Sequence, residues 1–384
     1  MKSHQRISNS ERTRAGCLHK WFLSYALGLA LPHKPLAMYR GILWHEALEK
    51  YTELGLADTL DWLDLELDIH LGKVGQHYLK TAEATAETFR LVKGMLPRYL
   101  EHWQYAQPWK VLETEWLIKR WTRCPTGRCS SATGFVGVID KLVQIQGSDD
   151  AEPALWIVEH KTTTMKLDEW WRSNLYKPQA PSYAWLIREE LGKQVRGVIY
   201  DVALAVEPRP ACNFDTTKDG KRLHKPKPGT LPMTTADNWA RAIKSRGFSF
   251  NDQPWYVEIG KQLRERDQSD FWFRRFTVPI TGAETDRAGA ELWHEGTRLR
   301  RLKTGLKADR EALELAAADP SDFSQVVAEI CQERGAEFPR NHGMCRQYNR
   351  RCEYLDLCQH QSAEAAGDFV LHERDDEEED KEDG

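Results

Sequence analysis

Between residues 7 and 54 the apolar positions recur at helical spacing. The run breaks around Pro32–Pro35 and restarts over Met38–Tyr51, where Leu43, Ala47, Leu48 and Tyr51 share one face. Residues 58–105 continue that period until Pro97 and Pro108, which are expected to end helices. The period then shortens. Val111–Trp121, Phe135–Gln146 and Ala154–Lys161 are rich in β-branched and aromatic residues, and Gly127–Ser131 and Gly147–Pro153 supply hairpin loops between them. The pattern predicts a helix over Lys177–Leu191, a strand over Val195–Val206, a long exposed loop over 208–234, and a last strand over Phe271–Ile280. Helices follow over Ala283–Thr304 and Ala308–Ala317. Helices, a three-strand meander, a helix, a strand and more helices make an α/β chain with a mixed central sheet flanked by helices.

Charge changes this picture only locally. The formal net charge is −4, but Glu373–Asp383 alone holds nine acidic residues against Arg374 and Lys381, which leaves the rest at about +3. Any phosphate-binding surface must therefore be a patch, and the acidic tail is expected to stay solvated. Trp21–Leu31 is too short to span a bilayer and lacks a clean cleavage site, so no membrane segment is expected and the chain reads as cytoplasmic. In that compartment eight Cys point to metal or cluster chemistry rather than a disulfide framework.

The sharpest chemical signal is two carboxylates that close apolar strands: Asp140 in Gly137-Val138-Ile139-Asp140, and Glu159 in Trp156-Ile157-Val158-Glu159-His160-Lys161. A charge in that position costs stability unless it is paired or meets a cation. Glu159 and Lys161, two apart on a strand, point the same way. Phosphodiester hydrolysis requires a divalent ion to neutralise phosphate oxygens and acidify water, and hard carboxylate donors suit Mg²⁺ or Mn²⁺. A neighbouring lysine can orient water or stabilise developing charge. Asp plus Glu-x-Lys alone also describes solvated strand ends. Its context is sharper: Gly41-Ile42-Leu43-Trp44-His45 lies upstream on a helix, and Gln179-Ala180-Pro181-Ser182-Tyr183 lies downstream on the next one.

Taken in order, His45, Gly137 with Asp140, Glu159 with Lys161, and Gln179 with Tyr183 resemble the RecB-like branch of the PD-(D/E)XK nucleases, with its AddB and Cas4 relatives. The resemblance implies a restriction-endonuclease-like core. It implies that Asp140, Glu159 and the His160 carbonyl hold the metal, with His45 as a further ligand. Lys161 becomes the catalytic lysine, and Gln179 and Tyr183 contact DNA or shape the site. Glu115, one strand earlier, is a candidate supporting carboxylate.

Cys345, Cys352 and Cys358 fall in one short irregular stretch, which fits a thiolate-bound centre. The same resemblance supplies Cys17 as fourth ligand and a [4Fe–4S] cluster as the centre. A Cys₄ zinc site is the rival, although the wide spacings lack its usual paired knuckles. Cys124 and Cys129 read as structural or surface thiols, with a second metal site as the alternative.

The expected organisation is an N-terminal helical region (1–110), a nuclease core (111–282), C-terminal helices with the Cys-rich segment (283–366) and an acidic tail (367–384). The expected activity is metal-dependent DNA cleavage, as an exonuclease on single strands or duplex ends. The Lys218–Lys227 loop, Trp170-Trp171-Arg172 and Arg340, Arg346, Arg350 and Arg351 are candidate DNA contacts. No Walker A loop is present, so unwinding would fall to a helicase or recombination partner. The alternative function is a non-catalytic DNA-binding or assembly subunit that keeps the fold and cluster.

Overall fold

The computed structural model describes residues 5–33, 35–72, 81–104, 109–124, 126–146, 152–174, 177–347 and 350–372. The acidic run from Glu373 and most of the Gly147–Pro153 connection lie outside them.

Six strands form a mixed sheet in the order β1-β4-β5-β6-β7, with β3 lying along β4 as an outer ribbon. β3 (Trp109–Arg123), β4 (Cys129–Ile145) and β5 (Ala154–Thr163) are the antiparallel meander expected from the alternating apolar pattern. A crossover through α6 (Leu167–Asn174) and α7 (Gln179–Leu191) brings β6 (Val195–Leu204) in parallel with β5. β7 (Phe273–Pro279) closes the far edge antiparallel to β6. The parallel β5–β6 pair is nearly continuous in apolar residues and is buried on both faces, as that geometry requires.

Three expectations are corrected. Residues 7–8 do not begin a helix. They end β1 (Gln5–Ser8), which pairs in parallel with Thr133–Val136 of β4 and buries Ile7 completely. Four residues are too few to show a period. Pro97 does not end its helix: α5 runs from Ala82 to Trp103, because Met95, Leu96 and Tyr99 on either side of the proline are buried and their packing outweighs the lost backbone hydrogen bond. Residues 208–234 are the long, largely exposed stretch that the sequence predicts, with one short 3-10 turn and an isolated bridge. With α8 (Ala236–Lys244) and α9 (Pro254–Asp267) they build a small module with its own core of Phe214, Leu223, Trp239, Ile243, Tyr256 and Leu263. The Trp170-Trp171 pair is largely committed to packing, since Trp170 is buried and Trp171 stacks on Phe276 at 4.6 Å.

The remaining helices support the sheet. α3 (Leu36–Leu54) packs on β5, and α7 packs on β3, β4 and β6. α10 (Gly282–Gly305) crosses α7 where Gly289 leaves room for Trp185; a Cβ there would lie 2.5 Å from the indole nitrogen. α11 (Lys307–Ala316) and α12 (Pro320–Arg334) lead to the Cys-rich segment. The chain ends meet twice. The cysteine-bearing segments approach one another, and β10 (Val370–Leu371) pairs with β2 (Leu29–Ala30).

Candidate metal centre and thiol cavity

Two strands and one helix deliver the acidic donors. β3 and β4 pair through Thr114↔Lys141 and Trp116↔Ile139, so Glu115 and Asp140 stand between these pairs, opposite one another. Glu115 has φ +44°, a left-handed backbone that costs a non-glycine residue energy, so the strand is strained at this carboxylate. On α3, at the turn facing β5, His45 places Nδ1 3.5 Å from Asp140 Oδ2 and 3.8 Å from Glu115 Oε1. Among the described residues, His45, Glu115 and Asp140 are the one group of three or more His, Cys, Asp or Glu side chains whose donor atoms lie within 4.8 Å of one another.

The imidazole orientation is set from behind. His45 Nε2 lies 2.9 Å from the His160 carbonyl, which only accepts, so Nε2 carries the proton and the Nδ1 lone pair faces the carboxylates. Two carboxylates and an imidazole lone pair converging on one space form a donor set for a hard cation. Without one, burial opposes a charged His45, while the hydrogen bond to Glu115 and the charge of Asp140 outweigh it and raise its pKa. The His160 carbonyl keeps a second lone pair.

β5 presents Glu159 and Lys161 together, as their spacing required. Lys161 Nζ donates to Glu159 Oε2 at 2.7 Å, and Glu159 is fully buried. Its other oxygen, Oε1, has no hydrogen-bond partner. Burial, then the nearby Asp140 charge, pushes the Glu159 carboxyl up to about 7. Burial disfavours the Lys161 ammonium, but Glu159 and Asp140 hold its pKa above the ordinary value. The Asp140 carboxylate is fixed by the His160 N–H, which donates to Oδ2 at 2.8 Å. The His160 side chain turns away into a buried polar cluster, 4.0 Å from Asp201, whose carboxylate also accepts from Tyr99 Oη and Arg275 Nε.

Gln179 and Tyr183 lie one turn apart on α7, and Gln179 Nε2 donates to Tyr183 Oη at 3.1 Å. Tyr183 is buried, and burial followed by the Glu159 charge keeps its hydroxyl protonated. The same ring explains the glycine before Asp140: a Cβ on Gly137 would come within 2.7 Å of it. Lys177, just ahead of α7, was not singled out in the sequence. Burial and repulsion from Lys161 lower its pKa, so it belongs to the same electrostatic neighbourhood. Nothing in its local sequence marked it.

A second cluster lies between the chain ends. Cys17, Cys345, Cys352 and Cys358 line one cavity with His19, Arg340 and Met344, and all four are free thiols. The Asn341 N–H approaches Cys17 Sγ at 3.4 Å, and its side chain donates to the Gly16 carbonyl. Burial raises the thiol pKa of Cys352 and Cys358. Cys124 and Cys129 flank the β3–β4 turn, far along the sequence from these four.

Fold and site together define an α/β protein of the restriction-endonuclease-like class, with an acidic, lysine-bearing cluster carried by neighbouring strands. The match to known families is consistent with this: the family model of the PD-(D/E)XK nuclease superfamily matches residues 9–359, and the chain belongs to that superfamily. Its members are generally nucleases, although some are non-catalytic. A search of curated proteins finds no match. No described helix is long and apolar enough to cross a membrane.

Proposed function

We propose that this protein is a divalent-metal-dependent DNA nuclease, acting as an exonuclease on single strands or duplex ends. The observation that carries the reading is a fully buried Glu159 with one orphaned oxygen, set beside the His45–Glu115–Asp140 cluster and tied to Lys161. An ionised buried carboxylate is costly unless a cation meets it, so the donor set fits a hard metal ion. His45, Glu115, Asp140 and Glu159 would hold Mg²⁺ or Mn²⁺, with the His160 carbonyl as a further oxygen donor. Such an ion supplies Lewis acidity toward phosphate and water.

The chain's own groups do the rest. Lys161 stays cationic beside Glu159 and Asp140, which suits it to stabilise charge on the phosphate rather than to accept a proton. The Gln179–Tyr183 pair keeps a protonated hydroxyl that would serve as a donor to the substrate backbone. The His45 imidazole, locked by the His160 carbonyl, and the Asp140 carboxylate, locked by the His160 N–H, are both supported by the backbone of one residue, through the two peptide groups that flank it.

We assign Cys17, Cys345, Cys352 and Cys358 to a structural [4Fe–4S] cluster. Tetrahedral zinc would draw four thiolates to within about 3.8 Å of one another, given Zn–S bonds of about 2.3 Å. No three of these sulfurs fall within 4.8 Å, which favours the larger centre. Cleavage assays on end-labelled single- and double-stranded DNA with Mn²⁺, Mg²⁺ or EDTA, alongside Lys161→Ala, test the catalytic reading. Metal-dependent products lost in the variant are expected. A wild-type protein with its cluster intact that cuts nothing would make it a non-catalytic subunit.

A further inference from the structure

The module between β6 and β7 is unlike the rest of the chain in charge. Residues 209–270 carry 12 Lys or Arg against eight Asp or Glu, in a protein whose net charge is −4. The excess is concentrated between Asp215 and Lys227, and this segment is an ordered hairpin. Thr217 N–H donates to the Arg222 carbonyl at 2.8 Å, His224 N–H to the Asp215 carbonyl at 2.9 Å, and Thr216 bridges Leu223. Gly220, at φ +68°, makes the reversal that a side-chain-bearing residue would resist. The hairpin is anchored from below, because Leu223 is fully buried and its N–H donates to Tyr256 Oη at 2.8 Å.

Both acids of the hairpin are used internally. Asp219 accepts from the Thr217 hydroxyl and the Lys221 N–H, and Asp215 pairs with Arg209 at 3.5 Å. Lys218, Lys221, Arg222, Lys225 and Lys227 are all exposed, and among the described residues none has an ion-pair partner. Three of these cations lie on the hairpin and two just after it, and clustered cations repel one another, an arrangement that a polyanion relieves. Between Asp215 and Lys227 there is no aromatic residue, and Phe214 just before them is buried, so this stretch offers charge without a stacking platform.

Placement links the module to the site. It leaves the sheet after Leu204, which pairs with Thr163, two residues beyond Lys161 on β5, and returns at Phe273 beside Ala203. Its root is fixed at both ends: Arg90 of α5 donates to Glu207 at 3.1 Å, while Asp267 accepts from the Trp272 indole and from the Ala236 N–H. The module that bears the hairpin therefore springs from the end of the sheet to which the Glu159–Lys161 strand runs.

We infer that the Lys218–Lys227 hairpin is a sequence-independent docking surface for the phosphate backbone of DNA, which it delivers to the carboxylate–lysine site. The inference rests on the nuclease reading for its purpose, but the binding can be tested apart from it. The probe is a fluorescent oligothymidylate of about 30 nucleotides, titrated in EDTA with the full-length holo protein over a range of salt concentrations. The variants are Lys221→Glu/Arg222→Glu/Lys225→Glu and the milder triple Gln replacement, all at exposed positions. The expected result is affinity lower by on the order of tenfold or more, with the slope of log K against log salt shallower by about 2, since each phosphate contact on a single strand contributes roughly 0.7. Hydrolysis of a small chromogenic phosphodiester, too short to reach the hairpin, should match wild type. Should the reversed-charge protein fail to fold, the Gln variant decides on the same readouts. Wild-type affinity and slope in a folded variant, or no binding by the wild type, would overturn the inference. A wild type that binds through the hairpin yet cleaves neither substrate would leave it standing and remove the nuclease reading instead.

Discussion

Glu159 concentrates the energetic tension of this protein in one side chain. Its carboxyl, at about 7, sits above the ordinary carboxylate value, so between about pH 4.5 and 7 the metal-free folded state binds more protons than the unfolded one. Stability from this group is therefore present at low pH and lost as pH rises through that window. Glu159→Gln should raise the melting temperature of EDTA-treated protein at pH 8 and have little effect at pH 5, as scanning calorimetry would show, while Mn²⁺ should stabilise only the wild type. Gly137→Ala should cost about 1–3 kcal/mol, because the added methyl meets the Tyr183 ring at 2.7 Å. Urea denaturation measures that cost. The positions of Asp140, Glu159 and Lys161 were legible because charges set into apolar strands stand out, although the strands do not end at them as expected: β4 continues to Ile145 and β5 to Thr163. Glu115 was not legible as a full member, since its place depends on a strand register and a left-handed backbone that no residue type announces.

At the scale of elements, the long periodic segments were readable and the short ones were not. The meander, α7 and β6 followed from alternation and turn residues. β1 escaped because four residues carry no period, and α8 and α9 escaped because the prolines, glycines and lysines before them suggested one extended loop. The helix that carries the packing against α7 has a clear start signal: Thr281 accepts from the Glu284 N–H, and Glu284 reaches back to the Thr281 N–H. Removing this reciprocal cap with Thr281→Ala should cost about 1 kcal/mol in chemical denaturation and leave any cleavage unchanged. That pair of results would separate the support of α10 from the chemistry of the strands.

For the molecule as a whole, the two ends depend on each other. Cys17 and the three later cysteines surround one cavity, Tyr354 Oη donates to the Leu29 carbonyl at 2.7 Å, and β10 completes a ribbon with β2. On the cluster assignment proposed above, Cys17→Ser should release iron and sulfide from anaerobically purified protein, lower the melting temperature and open the segment around residue 350 to trypsin. Iron analysis and limited proteolysis report on both. The spacing of the cysteines suggested a shared centre, whereas the β2–β10 pairing had no sequence signal, being only two residues on each side.

That closure also sets an order on the protein's synthesis. Trp21 and Phe22 are synthesised long before Phe338, whose ring lies against Trp21 and stacks on Phe22 at 4.4 Å. Until Phe338 is made, the apolar stretch around Trp21 and Phe22 lacks one of the surfaces that bury it. A chain truncated before residue 338 would leave the Phe22 ring without its stacking partner, an exposure that binding of a hydrophobic dye would report.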